Sequence, residues 1–293
     1  MIDRVTALTV QRSTLANLQN NLTSMARLQA QMSSGKKLQR PSDDPAVAGE
    51  AMHLRATGRR LSQYTRNAAD GDSWLATVDS ALIASLATMR RVRELVITSG
   101  DAGLGPASRE ALAVEVTELH GDLLSQANSR YQGRTVFAGT SDAGVAFDAA
   151  YTWTGSPGAG VERRIGATTS VRVDTDGSAV FGEGAGSVFA LLDDLVAGLG
   201  ANQDVNDRLD QIDARMEALL SAAASNGSRQ RVLQSVGTAL STQALTVKTQ
   251  LQAAEDIDLA EVIMDLQLQE VAYKGALGAG ARVLQPSLLD FLR

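Results

Sequence analysis

The chain has 293 residues, 27 Lys and Arg against 33 Asp and Glu, a net charge of −6, 44% hydrophobic but only 4% aromatic residues, and no cysteine. That length reaches the roughly 250 to 300 residues where a single core stops growing, so two or more domains are expected, built from slim aliphatic helices. The acidic balance argues against a nucleic-acid partner, and the missing cysteine excludes disulfides, thiolate metal sites and cysteine nucleophiles.

From Leu8 the apolar residues fall at Leu15, Leu18, Leu22, Met25 and Met32, a narrow stripe along one face of a first helix that ends at Ser34-Gly35. A linker follows, and Asp44-Pro45 announces the next helix, an N-cap acceptor before a residue preset for the first turn. Leu54, Leu61, Ala68, Leu75, Leu82, Met89 and Val96 then repeat every seven residues, with Val78, Leu86 and Val92 between them; Asp70-Gly71-Asp72 is expected to bend or interrupt this helix. The glycines at 100, 103 and 105 with Pro106 make a turn, and Leu112, Val116, Leu119 and Leu123 restart the stripe in an antiparallel return.

Seven of the eleven aromatic residues lie between 131 and 189, among many glycines. This stretch reads as a small strand-rich insertion, with strand character over Arg164–Asp174 and a turn at Asp174-Thr175-Asp176-Gly177 before Ala179-Val180-Phe181. Helix resumes at Val188, and a second long stripe runs Val205, Leu209, Ile212, Met216, Leu219, then Leu233, Leu240, Val247 and Leu251, with Asn226-Gly227 read as an interruption. The last segment places Leu259, Ile263, Leu266, Tyr273, Leu277, Leu284 and Leu288 on one face. The fold class is therefore mainly α, with long antiparallel coiled-coil-like helices, paired terminal helices and a small β-rich insertion. The expected domains are 1–42 with 255–293, a body of 43–138 with 188–254, and an inserted 139–187.

Motifs that carry chemistry fail on context. Ser33-Ser34-Gly35-Lys36-Lys37 lacks the upstream glycine and the strand of a phosphate loop, and the glycines at 275, 278 and 280 follow a helical stripe, so small residues at a close helix contact explain them better than a dinucleotide fingerprint. Asp174-Thr175-Asp176-Gly177 lacks the distal glutamate of a calcium loop. Asn21-Leu22-Thr23 and Asn226-Gly227-Ser228 match a glycosylation pattern that is common by chance. His53 and His120 stand far apart, and no catalytic set, metal site or cofactor is indicated. No run approaches the roughly 20 apolar residues of a bilayer-spanning helix, so no membrane insertion is expected, and Met1–Gln11 shows no cleavable secretory signal.

The informative feature is the pair of terminal seams. The plain reading is that they pack on each other within one molecule; the sharper one is that they are poorly ordered alone and fold against neighbouring copies. Periodicity leaves both open. The sharper reading makes Leu8, Leu15, Leu18, Leu22, Met25, Leu259, Ile263, Leu266, Leu277, Leu284 and Leu288 an assembly interface.

Several strings resemble the flagellin superfamily and, within it, the hook–filament junction family of bacterial flagella, also called hook-associated protein three. Gly35-Lys36-Lys37-Leu38-Gln39-Arg40-Pro41-Ser42-Asp43-Asp44-Pro45 resembles that family's linker into its second helix, and Gly133-Arg134-Thr135-Val136-Phe137-Ala138-Gly139-Thr140 its entry into the insertion. Ser287-Leu288-Leu289-Asp290-Phe291-Leu292 resembles its ending, while Arg66-Asn67-Ala68-Ala69-Asp70-Gly71 and Arg91-Val92-Arg93-Glu94-Leu95 are similar to strings shared with flagellins. The resemblance implies a non-enzymatic, extracellular axial protein exported through the flagellum's type III pathway. Its implied partners are copies of itself, the first hook-associated protein, flagellin and an export chaperone. A compact flagellin, a cytoplasmic coiled-coil scaffold and, last, an enzyme are the competing readings.

Overall fold

The structure, a computed structural model, describes the backbone of residues 2–100 and 105–284, and side chains over that range except residues 2–8, 10, 11 and 282–284. The chain order is α1 (Ile2–Ser34), α2 (Pro45–Ser99), α3 (Pro106–Ala127), the short strands β1 (Arg130–Tyr131), β2 (Arg134–Thr135), β3 (Glu162–Arg164) and β4 (Ser170–Arg172), then α4 (Gly177–Phe181), α5 (Val188–Gly200), α6 (Leu209–Glu255) and α7 (Leu259–Leu284). Two compact units result, residues 1–60 with 244–293, and residues 61–243. Both α2 and α6 contribute residues to each unit.

In the larger unit, α2 and α6 run antiparallel, as the pairing of Arg93 with Asp213, Leu75 with Asn226 and Asp72 with Gln234 requires. The seven-residue stripe of α2 is the core edge: Leu61, Ala68, Leu75, Leu82, Met89 and Val96 are all buried. Neither expected interruption breaks a helix. Gly71 lies in the unbroken α2 because its face is crowded; a Cβ there would sit 3.0 Å from Leu233 Cδ1 and 3.1 Å from Val173 Cγ1. Asn226 lies within the continuous α6, in phase with the buried Val205, Ile212, Leu219, Leu233 and Leu240. It is itself fully buried and donates from Nδ2 to the Leu75 carbonyl at 3.0 Å, while its Oδ1 accepts nothing. A buried asparagine in an apolar seam fixes register at a cost in stability.

α3 packs on α5 and is tied to α2 by Arg91–Glu115 at 2.7 Å. One antiparallel hairpin, β3–β4, lies within the expected insertion, and a second, β1–β2, lies just before it. The apolar centre of this region is a ring cluster: Phe137, Phe147, Phe181 and Phe189 meet with centroid separations of 5.1 to 5.9 Å. The segment Ala179–Phe181, read from sequence beside a turn among strands, is helical: Asp176 caps α4 by accepting from the Ser178 amide at 3.0 Å. Asp174 is fully buried and accepts from the Val161 amide and Arg172 Nε, each at 2.8 Å. Arg229 reaches the Asp174 carbonyl at 2.6 Å, and burial holds its guanidinium below its ordinary value. These contacts employ the carboxylates that the sequence pattern compares with a calcium loop.

Candidate assembly interface

In the smaller unit α1 and α7 pack on each other. Gln269 Nε2 donates to Asn21 Oδ1 at 3.1 Å, and a Cβ at Gly280 would lie 3.2 Å from Thr14 Cγ2. Moving back along α1 from 21 to 14 thus moves forward along α7 from 269 to 280, an antiparallel pairing. The terminal helices therefore pack on each other within the molecule, the plainer of the two readings that periodicity left open. Of the three late glycines, Gly280 makes the expected close contact, whereas Gly275 and Gly278 face open space.

The pairing divides the sequence-selected residues. Thr14, Leu18, Asn21, Met25, Leu28 and Met32 of α1 are half-buried, as are Leu266, Gln269, Tyr273 and Ala276 of α7 beside the buried Val262 and Gly280. These positions alternate steps of three and four, the spacing of a helix–helix seam. Leu18, Met25 and Leu266 belong to it. Leu15 and Leu22 stay 53% and 47% exposed, and Leu259, Ile263 and Leu277 are exposed with Met264, Leu268 and Val271. Leu15, Leu22, Ile263 and Leu277 each stand one residue beyond a seam position, about 100° further round the helix. One stripe in the sequence thus becomes two faces, an inner one spent within the molecule and an outer one left in water. Leu8 and Leu284 lie on helical backbone, but their side chains, and all of Leu288, lie outside the described residues.

The roots of the two helices are clamped together. Gly35 ends α1 at φ +68°, its carbonyl accepts from the Ile257 amide at 3.2 Å, and the Lys37 amide donates to the Glu255 carbonyl at 2.7 Å. Lys36 Nζ lies 2.6 Å from Asp256 and 3.2 Å from Glu255, while Arg55 approaches Glu255 at 2.8 Å. The Asp256 hydrogen bond is the largest cause holding the Lys36 ammonium above its ordinary value. Asp44 Oδ1 caps α2 as expected, accepting from the Ala46 and Val47 amides. The clamp was missed from sequence; its signal is the Lys36-Lys37 pair after one terminal helix facing the Glu255-Asp256 pair before the other.

Elsewhere the candidate motifs have structural employment. Asn226 is buried and unavailable for modification, while Asn21 is bonded to Gln269. His53 is exposed, and His120 packs its ring on Tyr151 and Phe189. Among the described residues no three carboxylate or imidazole groups converge to hold a metal, and no helix is long and apolar enough to cross a membrane.

Residues 5–142 match the family model of the bacterial flagellin N-terminal helical region. Flagellar hook-associated protein 3 of Salmonella typhimurium is 23% identical over 299 residues, an alignment covering 93% of this chain and 94% of that protein. Over nearly its whole length the chain is similar to flagellar hook-associated protein 3, and over its N-terminal half to the flagellin helical region. Polar flagellin C of Vibrio parahaemolyticus is more alike locally, 35% identical over 172 residues, but that likeness covers 58% of this chain and only 41% of the flagellin. Among solved structures, a flagellar hook-associated protein of Vibrio parahaemolyticus superposes with a TM-score of 0.68 at 20% identity, covering 73% of this chain and all of that one, which supports the same mainly helical fold.

Proposed function

We propose that the chain forms the layer joining hook to filament, self-assembling through the outer face of the α1–α7 pair. The observation that carries this reading is that face: Leu15, Leu22, Leu259, Ile263 and Leu277 remain in water after the two helices have satisfied each other. Large apolar residues left exposed at repeated positions along a helix pair mark an interaction site, and burying a leucine contributes about 1.5–3 kcal/mol. Its neighbours in the assembly are further copies of itself, the first hook-associated protein on one side and flagellin on the other. Before export by the type III route a chaperone covers the same apolar residues. No catalytic step is assigned to the chain.

The test is antibody labelling of flagella from cells that carry the protein, with a parallel seeding assay. A single labelled zone at the hook tip, and a short cap rather than a long filament on seeds, is the expected result. Long self-propagating filaments would instead make the chain a compact flagellin.

A further inference from the structure

Beside the clamp at the root of the terminal helices lies a pocket of about 220 Å³. Leu38, Pro41, Ala48, Ala51 and Met52 give it apolar walls, and Lys36, Arg40 and Arg55 give it a cationic rim. Within it Glu255 is 5% exposed; Arg55 Nη2 lies 2.8 Å from both of its oxygens, yet donates its hydrogen bond to Oε2 and leaves Oε1 without one. That oxygen is met by the Arg55 ion pair alone, so the pocket suits an occupant with apolar bulk, a negative charge for the rim and an N–H or O–H for Glu255. The guanidinium of Arg40 has no partner among the described residues.

The sequence holds one segment of that chemistry beyond α7: Ser287-Leu288-Leu289-Asp290-Phe291-Leu292. It supplies leucine and phenylalanine bulk, one carboxylate, a hydroxyl and backbone amides. Its own pocket is out of reach. α7 starts beside the pocket, where Lys36 and Asp256 pair, and runs away from it over 25 residue steps from Leu259 to Leu284, about 38 Å. Residues 285–293, even fully extended at about 3.3–3.6 Å each, return no more than about 32 Å.

We propose that the linker pocket of one copy receives residues 287–292 of a second copy, Asp290 meeting Arg40 and Arg55 at the rim and the leucine and phenylalanine side chains entering between Leu38 and Met52. The contact joins two different surfaces of the chain, so it is head-to-tail and links neighbouring copies within one layer rather than closing a two-fold dimer. This rests on the self-assembly proposed above and adds a specific copy-to-copy contact to it.

The absence of cysteine in the sequence makes the test direct. Cells whose own gene is replaced express two tagged forms together, one Met52→Cys and one Leu289→Cys, and their purified flagella are treated with a short bismaleimide. The expected product is a mixed dimer carrying both tags. Flagella that contain both forms without that dimer overturn the tail contact but leave the junction role intact, whereas flagella containing neither form remove both. Charge exchange gives an independent readout: Arg40→Glu and Asp290→Arg each lower the amount incorporated at least tenfold, and the double variant restores it. Equal loss in the double variant overturns the pairing.

Discussion

Leu22→Asp separates the two faces of the terminal pair. Leu22 is 47% exposed in the single chain. Full burial of a leucine is worth about 1.5–3 kcal/mol, so about 0.7–1.4 kcal/mol remains to be gained when a neighbour covers the rest. Leu22→Ala forfeits most of that gain, which is about three- to tenfold in affinity per contact. Leu22→Asp goes further, since a carboxylate without a partner at a closed apolar interface costs several kcal/mol and stops assembly. In the free chain the same carboxylate points largely into water, and the loss is about 1 kcal/mol of existing burial, a fall of about 2–4 °C in melting temperature for a protein of this size. The measurements are thermal unfolding of the pure protein by circular dichroism and the amount of variant recovered in purified flagella. Recovery equal to wild type would refute the assignment of this face. So would an unfolded free chain with Leu22→Ala, because Leu22 would then be an internal packing residue.

Two further outcomes follow from the larger unit. Tyr151 donates to Asp193 at 2.6 Å, and burial, reinforced by that carboxylate, pushes its phenol from 10 up to about 12. A raised value favours the neutral form on folding, so this contribution is complete below pH 10 and lost as pH climbs from 10 to about 12; alkaline absorbance titration will show a late phenolate step that Tyr151→Phe removes, and persistence of that step in the variant contradicts the reading. Asn226→Leu replaces a half-satisfied buried amide by apolar bulk in phase with Leu219 and Leu233, and is expected to raise stability by about 1–3 kcal/mol in urea unfolding. A lower midpoint would mean that the Leu75 hydrogen bond outweighs the unmet acceptor.

The sequence by itself determined the helices, because a seven-residue apolar repeat such as Leu61 to Val96 has one way of being buried along a helix. It also determined the helix ends where a single residue acts locally, as at Asp44 and Gly35. It misplaced the breaks at Gly71 and Asn226: local propensity penalises both residues, while the neighbours that reward them, Leu233 and Val173 against one and the Leu75 carbonyl against the other, are remote in sequence. Tertiary structure alone decided which apolar residues of the terminal stripes are spent inside the molecule. Leu18 and Leu22 read alike in the chain, and only the direction from which α7 approaches, set by the Lys36–Asp256 clamp and the Asn21–Gln269 bond, turns one inward and leaves the other in water.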